Sequence, residues 1–130
     1  MSSSGGPASD MPTLKGVSVL VVEDTWHVAS AMKSALEQLG MDVIGPTATT
    51  AEARRLVAAH VPQIALVDVN LKREMASALI DELHEQGVKV IVVSGYAAPP
   101  VAMENAAAFL QKPFSGTELT KALGAAVLLH

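Results

Sequence analysis

The run Ile64-Ala65-Leu66-Val67 is aliphatic throughout and ends abruptly in the carboxylate of Asp68, with Asn70 two residues further on. A short unbroken apolar run of this kind reads as a strand buried on both faces, and parallel sheets are built from such strands. Val17 to Val22 is a second, β-branched run, and it ends in Glu23-Asp24. In open α/β sheets ligands bind beyond the carboxyl ends of the strands, so both acidic tips fall where a site would be. One acid at a strand tip is ordinarily a solvated end or a helix N-cap. Three carboxylates on two tips are more than packing requires.

The rest of the chain repeats a strand-then-helix pattern. After the first strand, Val28, Met32, Ala35, Leu36 and Leu39 follow one helical face, which predicts a helix over about 25–39 closed by Gly40. Asp42 to Pro46 reads as a short second strand stopped by Gly45-Pro46, and Thr49 to Glu52 is a capping box opening a helix that reaches about His60. The strand ending at Asp68 is third, followed by a helix expected over about 74–86, with Leu79, Ile80 and Leu83 on one side. Lys89 to Ser94 is a fourth strand that ends in a hydroxyl. Pro99-Pro100 can begin a helix but cannot sit inside one, so between Gly95 and Asn105 a loop with a short or irregular fourth helix is expected. Ala107 to Gln111 is the fifth strand, Lys112-Pro113-Phe114 follows it, and Ser115 to Glu118 is a second capping box before a final helix carrying Leu119, Leu123, Ala126 and Val127. Such an alternation predicts an α/β, flavodoxin-like, doubly wound five-stranded parallel sheet of order 2-1-3-4-5 with right-handed crossovers. Its switch point falls between strands one and three, the two with acidic tips.

Composition narrows the partners. The chain has 130 residues, enough for one domain with a sizeable core, and 50% are hydrophobic but only 3% aromatic. The formal charge of -4, with no basic cluster, argues against direct nucleic-acid binding, which relies on a positive patch. Cysteine is absent, which removes disulfides and thiolate chemistry, and the four histidines have no ligand spacing. Residues 1–14 are rich in Ser, Gly and Pro and are expected to be a disordered tail before a domain at 15–130. No apolar run approaches a bilayer span or a secretory signal, so a cytoplasmic protein without membrane contact is expected.

At the carboxyl edge the pattern thus gathers Glu23, Asp24, Asp68, Asn70, Ser94 and Lys112. A hard cation such as Mg²⁺ takes oxygen ligands and needs one or two carboxylates and a carbonyl, and Mn²⁺ could substitute. Like charges held a few ångströms apart are costly until a cation neutralises them. A carboxylate beside such an ion, a Lys and a Ser hydroxyl is equipment for receiving a phosphoryl group as an acyl phosphate.

These residues, Glu23-Asp24 after strand one, Leu66-Val67-Asp68-Val69-Asn70-Leu71 after strand three, Ser94-Gly95 after strand four and Gln111-Lys112-Pro113-Phe114 after strand five, resemble the response-regulator receiver domain of two-component signalling, over about 16–129. The resemblance implies that Asp68 is the phosphoacceptor, catalysing its own phosphorylation and dephosphorylation rather than acting as an enzyme in the usual sense. It implies that Glu23, Asp24, Asp68 and the Asn70 carbonyl hold Mg²⁺, and that Ser94 and Lys112 bind phosphoryl oxygens. It also implies a cis Lys112-Pro113 bond and an aromatic switch at Phe109, which would turn inward as Ser94 moves and alter the face made by the fourth helix, fifth strand and last helix. The implied donor is a histidine kinase.

Departures from the family pattern are informative too. The Ser94–Lys112 interval is shorter than usual by about one helical turn. With Ser94-Gly95-Tyr96 and Asp68-Val69-Asn70-Leu71 it resembles the stand-alone alphaproteobacterial receivers that work with HWE-type kinases. Lys72 and Arg73 occupy the stretch where the family often has Pro, and Trp26 and Tyr96 fall at the rim of the site. A stand-alone receiver, monomeric or weakly dimeric, would signal through a downstream protein or a phosphotransfer protein, or act as a phosphate sink. An Mg²⁺-dependent phosphatase with an Asp nucleophile is the alternative, but such enzymes want a second acid at the position of Asn70 and a cap. A nucleotide or flavin module ranks last, since no Gly-rich phosphate loop follows the first strand.

Overall fold

A computed structural model of the chain describes residues 13–71, 74–95 and 105–128. The strands are β1 Ser18–Val22, β2 Asp42–Thr47, β3 Ile64–Asp68, β4 Lys89–Ser94 and β5 Ala106–Gln111, and the helices among the described residues are α1 Trp26–Gln38, α2 Thr50–Ala59, α3 Ser77–Glu85 and α4 Gly116–Leu128. The sheet runs β2-β1-β3-β4-β5, every pair parallel, as the alternation of runs predicts. The expected short fourth helix, with Tyr96 and Pro99-Pro100, lies outside the described residues, as do Lys72 and Arg73 and residues 1–12 of the tail.

Because successive strand residues point to opposite faces, each apolar run divides itself between two cores. Val19 and Val21, Ile64 and Leu66, Ile91 and Val93 face one side, where Met32 and Leu36 of α1 and Leu119, Leu123 and Ala126 of α4 cover them. Leu20 and Val22, Ala65 and Val67, Val90 and Val92 face the other, under Ala53 and Val57 of α2 and Leu79, Ile80 and Leu83 of α3. All five residues of β3 are buried, which fixes Asp68 at a rigid central tip. At the end of α1, Gly40 takes a φ of 82° and donates its N–H to the Glu37 carbonyl at 2.9 Å, closing the helix as expected. Of the two capping boxes, the Ser115–Glu118 pair is complete in both directions, at 2.9 and 3.1 Å. At Thr49 the hydroxyl accepts from the Glu52 N–H at 3.1 Å, while the Glu52 carboxylate pairs with Arg55 instead.

Three boundaries differ from the sequence reading. Leu14, assigned to the tail, is 8% exposed and packs into the α1/α4 core, so the ordered domain begins before residue 15. A single Leu after Pro carries no periodic signal. The second strand does not stop at Gly45-Pro46 but passes through it to Thr47, with a register shift against β1 between Leu20 and Val22. Gly45 makes that possible with a φ of 93°, where an added Cβ would meet the Thr47 nitrogen at 3.0 Å and the Val21 oxygen at 3.2 Å. Both Gly45-Pro46 and Lys112-Pro113 are cis. Finally, α3 begins at Ser77 rather than near Glu74, and the Glu74 carboxylate bonds to Thr50 at the head of α2.

Candidate functional site

Two neighbouring strand tips, those of β1 and β3, bring the acids of one site to the carboxyl edge. Beyond β1, Glu23 is held by its main-chain N–H, which donates to the Thr47 carbonyl at 2.9 Å, so the bulge at Gly45 sets its position. Its Oε2 accepts from the Thr25 N–H at 3.1 Å. At the end of β3, Asp68 is 2% exposed, and its Oδ1 accepts from the Asn70 N–H at 2.9 Å. Carboxylate oxygens of Glu23, Asp24 and Asp68 come within 4.8 Å of one another.

Lys112 enters from the far side, after β5. Its main-chain N–H donates to the Ser94 carbonyl at 2.7 Å, and its ammonium lies 2.7 Å from Glu23 Oε1 and 3.1 Å from Asp68 Oδ2. Ser94 is fully buried at the tip of β4, and Asn70 Nδ2 approaches its hydroxyl at 3.4 Å. All six residues that the sequence reading gathers at the carboxyl edge are therefore neighbours. Asn70 is the exposed member, where the others are buried or partly so.

Among the described residues the Lys112 ammonium directly contacts two of the three carboxylates, those of Glu23 and Asp68. Burial holds the Glu23 carboxyl above its usual range, the Asp68 charge pushes the same way, and the bonds from Lys112 and Thr25 only partly oppose it. Burial would lower the Lys112 ammonium, but its contacts with Glu23 and Asp68 outweigh that and raise it, so it stays charged. Glu23 Oε1 is buried, and among the described residues its polar neighbour is the Lys112 ammonium at 2.7 Å. Three converging carboxylates, two of them buried, fit a hard divalent cation.

Phe109, three residues before Lys112, is 36% exposed and belongs to neither core, so it is not a plain core aromatic. Trp26 is 80% exposed at the first turn of α1, where it lines a cleft of about 320 Å³ with Glu23, Asp24, Lys33 and Thr47. That is the rim position the sequence suggests. Tyr96 lies outside the described residues. The sequence reading passed over Glu74, whose carboxylate accepts from the Thr50 N–H at 2.9 Å and from the Thr50 hydroxyl. It also passed over Thr47, the main-chain support of Glu23. Neither had a motif to mark it.

A family model described as the response regulator receiver domain matches residues 19–124. The transcriptional regulatory protein PdtaR of Mycobacterium tuberculosis is 27% identical over 127 residues, 94% of this chain, and the chain spans 62% of the length of that curated relative. Among solved structures, the signal receiver domain of the NarL response regulator from Mycobacterium tuberculosis superposes with a TM-score of 0.76 at 26% identity, covering 88% of this chain and 99% of that one. A response regulator protein from Burkholderia pseudomallei, solved with a phosphorylated aspartic acid, a calcium ion and citrate, gives 0.73 at 26% identity, covering 82% of this chain and 66% of that one.

Proposed function

The chain belongs to the response-regulator receiver family, a phosphorylation switch of two-component signalling, and from that premise we propose that Asp68 accepts the phosphoryl group in an Mg²⁺-dependent reaction. The observation that carries the reading is the convergence of Glu23, Asp24 and Asp68 oxygens within 4.8 Å, with the Lys112 ammonium 3.1 Å from Asp68. Glu23, Asp24, Asp68 and the Asn70 carbonyl would hold the ion, Asp24 and Asp68 directly and Glu23 behind them. When bound, the ion supplies positive charge to the transferring phosphoryl oxygens. The related Burkholderia pseudomallei protein, solved with a phosphorylated aspartic acid and a calcium ion, supports the reading that an aspartate in such a fold takes the phosphoryl group.

The chain's own residues do the rest. One Asp68 oxygen attacks phosphorus in line as the bond from phosphorus to the donor imidazole nitrogen breaks, so no proton has to leave the nucleophile. The Asn70 N–H fixes the carboxylate plane through its 2.9 Å bond to Oδ1. Lys112 already bears on Asp68 and would follow the incoming oxygens, as would the Ser94 hydroxyl. As Ser94 turns toward the phosphoryl group it vacates space beside β4, and Phe109, half out of the sheet face, moves in. The face including β5 and α4 then changes for a partner. Asp68 catalyses its own modification and its reversal, and the protein is a switch rather than a turnover enzyme.

The donor is a histidine kinase of the HWE type, on the Ser94-Gly95-Tyr96 and Asp68–Leu71 wording and the short interval to Lys112. No helix among the described residues is long and apolar enough to cross a membrane. The test is phosphotransfer from radiolabelled kinases of both HWE and other types, with Asp68→Asn as control. Acid-stable or undiminished label in Asp68→Asn would overturn the acceptor, and equal transfer from kinases of other types would overturn the donor class.

A further inference from the structure

Glu74 lies on the loop that leaves Asp68, yet its carboxylate is bound to a different element. Oε2 accepts from the Thr50 N–H at 2.9 Å, and Oε1 accepts from the Thr50 hydroxyl. Thr50 is buried and opens α2, so its N–H is among those a helix leaves without an internal partner. Arg54, one turn on, approaches the same hydroxyl at 3.4 Å and is itself braced by Glu82 at 2.7 and 3.1 Å. Thr49 already supplies the N-cap of α2 through its hydroxyl. Thr49 satisfies the Glu52 N–H, so Glu74 takes a second donor at the same helix end, from a loop outside α2.

Charge gives the second observation. The bonds from the Thr50 hydroxyl and then its N–H hold the Glu74 carboxyl below its usual range, with Arg54 assisting, while the Asp24 carboxylate opposes them. Glu74 is thus a fixed negative charge within electrostatic reach of Asp24, outside the three acids whose oxygens converge. On the same loop, four residues earlier, sits Asn70, whose N–H holds Asp68.

We infer that Glu74 is a positioning residue for the divalent cation: it latches the Asn70 loop to the head of α2 and places an extra anionic charge near Asp24, raising metal affinity without touching the ion. This rests on the reading of the acidic cluster as an Mg²⁺ site.

The experiment is calorimetric titration of Mg²⁺ into the whole chain and into Glu74→Gln, Glu74→Asp and Thr50→Val, at low and high salt, with thermal melts alongside. Glu74→Gln loses the charge and should bind about three-fold more weakly at low salt, by long-range Coulomb attraction, with the difference shrinking as salt screens it. Glu74→Asp keeps the charge but falls short of Thr50, so its weakening should persist at high salt, as should that of Thr50→Val. If all three variants bind Mg²⁺ with the wild-type Kd and only the melting temperature falls, Glu74 is a structural brace and the inference is wrong. A wild-type chain that binds no Mg²⁺ at all would instead overturn the reading of the acidic cluster, and the inference with it.

Discussion

Lys112→Met tests the electrostatic account of the site most directly, because it removes the ammonium while keeping a side chain of similar length. In the fold that ammonium faces Glu23 Oε1 at 2.7 Å and Asp68 Oδ2 at 3.1 Å, and the two acid side chains are 0% and 3% exposed. Coulomb's law with the dielectric of water gives about 1.5 and 1.3 kcal/mol for these contacts, a floor near 3 kcal/mol. An effective dielectric of about 20 multiplies both four-fold, but most of that gain offsets the desolvation of the three groups. Breaking a buried pair by deleting one partner typically costs about 3–5 kcal/mol, and the 25% exposure of Lys112 favours the lower end. With metal chelated, Lys112→Met should lose about 3 kcal/mol in urea unfolding, or roughly 10 °C in Tm for a domain of this size. Mg²⁺ then takes over the neutralising role. At a hundred-fold excess over Kd a ligand adds about 2.7 kcal/mol, and because the ammonium no longer competes, the variant should bind Mg²⁺ more tightly than the wild type and gain more from it. Phosphoryl acceptance should nevertheless fall by about a hundred-fold or more, as when a transition-state donor is lost. A Lys112→Met protein as stable as wild type in chelator, with the same response to Mg²⁺, would refute the claim that these acids depend on a cation.

Other perturbations separate the parts of the site. Glu23 binds a proton more readily in the fold than in the unfolded chain, since burial raises its pKa, so in chelator its contribution to stability is greatest at acid pH and is lost as pH rises from the ordinary Glu value through the raised one; the difference between wild type and Glu23→Gln in urea unfolding should grow over that window, and a constant difference would remove burial as the cause. Gly45→Ala forces a side chain into a left-handed backbone with the Thr47 nitrogen 3.0 Å from its Cβ, so it should cost about 1–3 kcal/mol and weaken Mg²⁺ binding by shifting Glu23, whereas unchanged affinity would mean the bulge does not set the site. Trp26 is the chain's single tryptophan and lines the same cleft as Asp24, so its emission should change on Mg²⁺ addition and not in Asp24→Asn; a response surviving in that variant would place the ion elsewhere.

The sheet was legible because its strands are buried on both faces and separated by amphipathic helices, so each run announces itself without help from the others. Asp68 and the Glu23-Asp24 pair were legible for the same reason, since an acid at the end of an apolar run is a discontinuity in sequence. Lys112, 44 residues after Asp68, could be assigned only by knowing the strand order. Where local patterning and tertiary contact disagree, the sequence misleads. Glu74 sits in a stretch that looks like the first turn of a helix, and Gly45-Pro46 looks like a terminator, yet both are used to join separate loops.

Those two positions act on the same problem from different sides. Anionic side chains at neighbouring strand tips repel one another, and the repulsion is tolerated only if main-chain contacts hold each tip in place. The Gly45 bulge lets Thr47 accept from Glu23, and the Thr50–Glu74 contact ties Glu74 to the head of α2. The two restraints flank the short β2–α2 connection, one at Thr47 ending β2 and one at Thr50 opening α2, and the connection itself contributes no acid to the cluster. A change in that connection is therefore expected to reach the cation site through two acids at once. Thr47→Gly, which keeps the carbonyl but frees the backbone, should weaken Mg²⁺ binding while leaving the nearly apolar α1/α4 core untouched, and titration calorimetry beside a urea curve would distinguish that from general loosening. Equal losses of affinity in Thr47→Gly and in a core variant of matched stability, such as Leu123→Ala, would mean that the site follows global stability and that the connection has no special part in it.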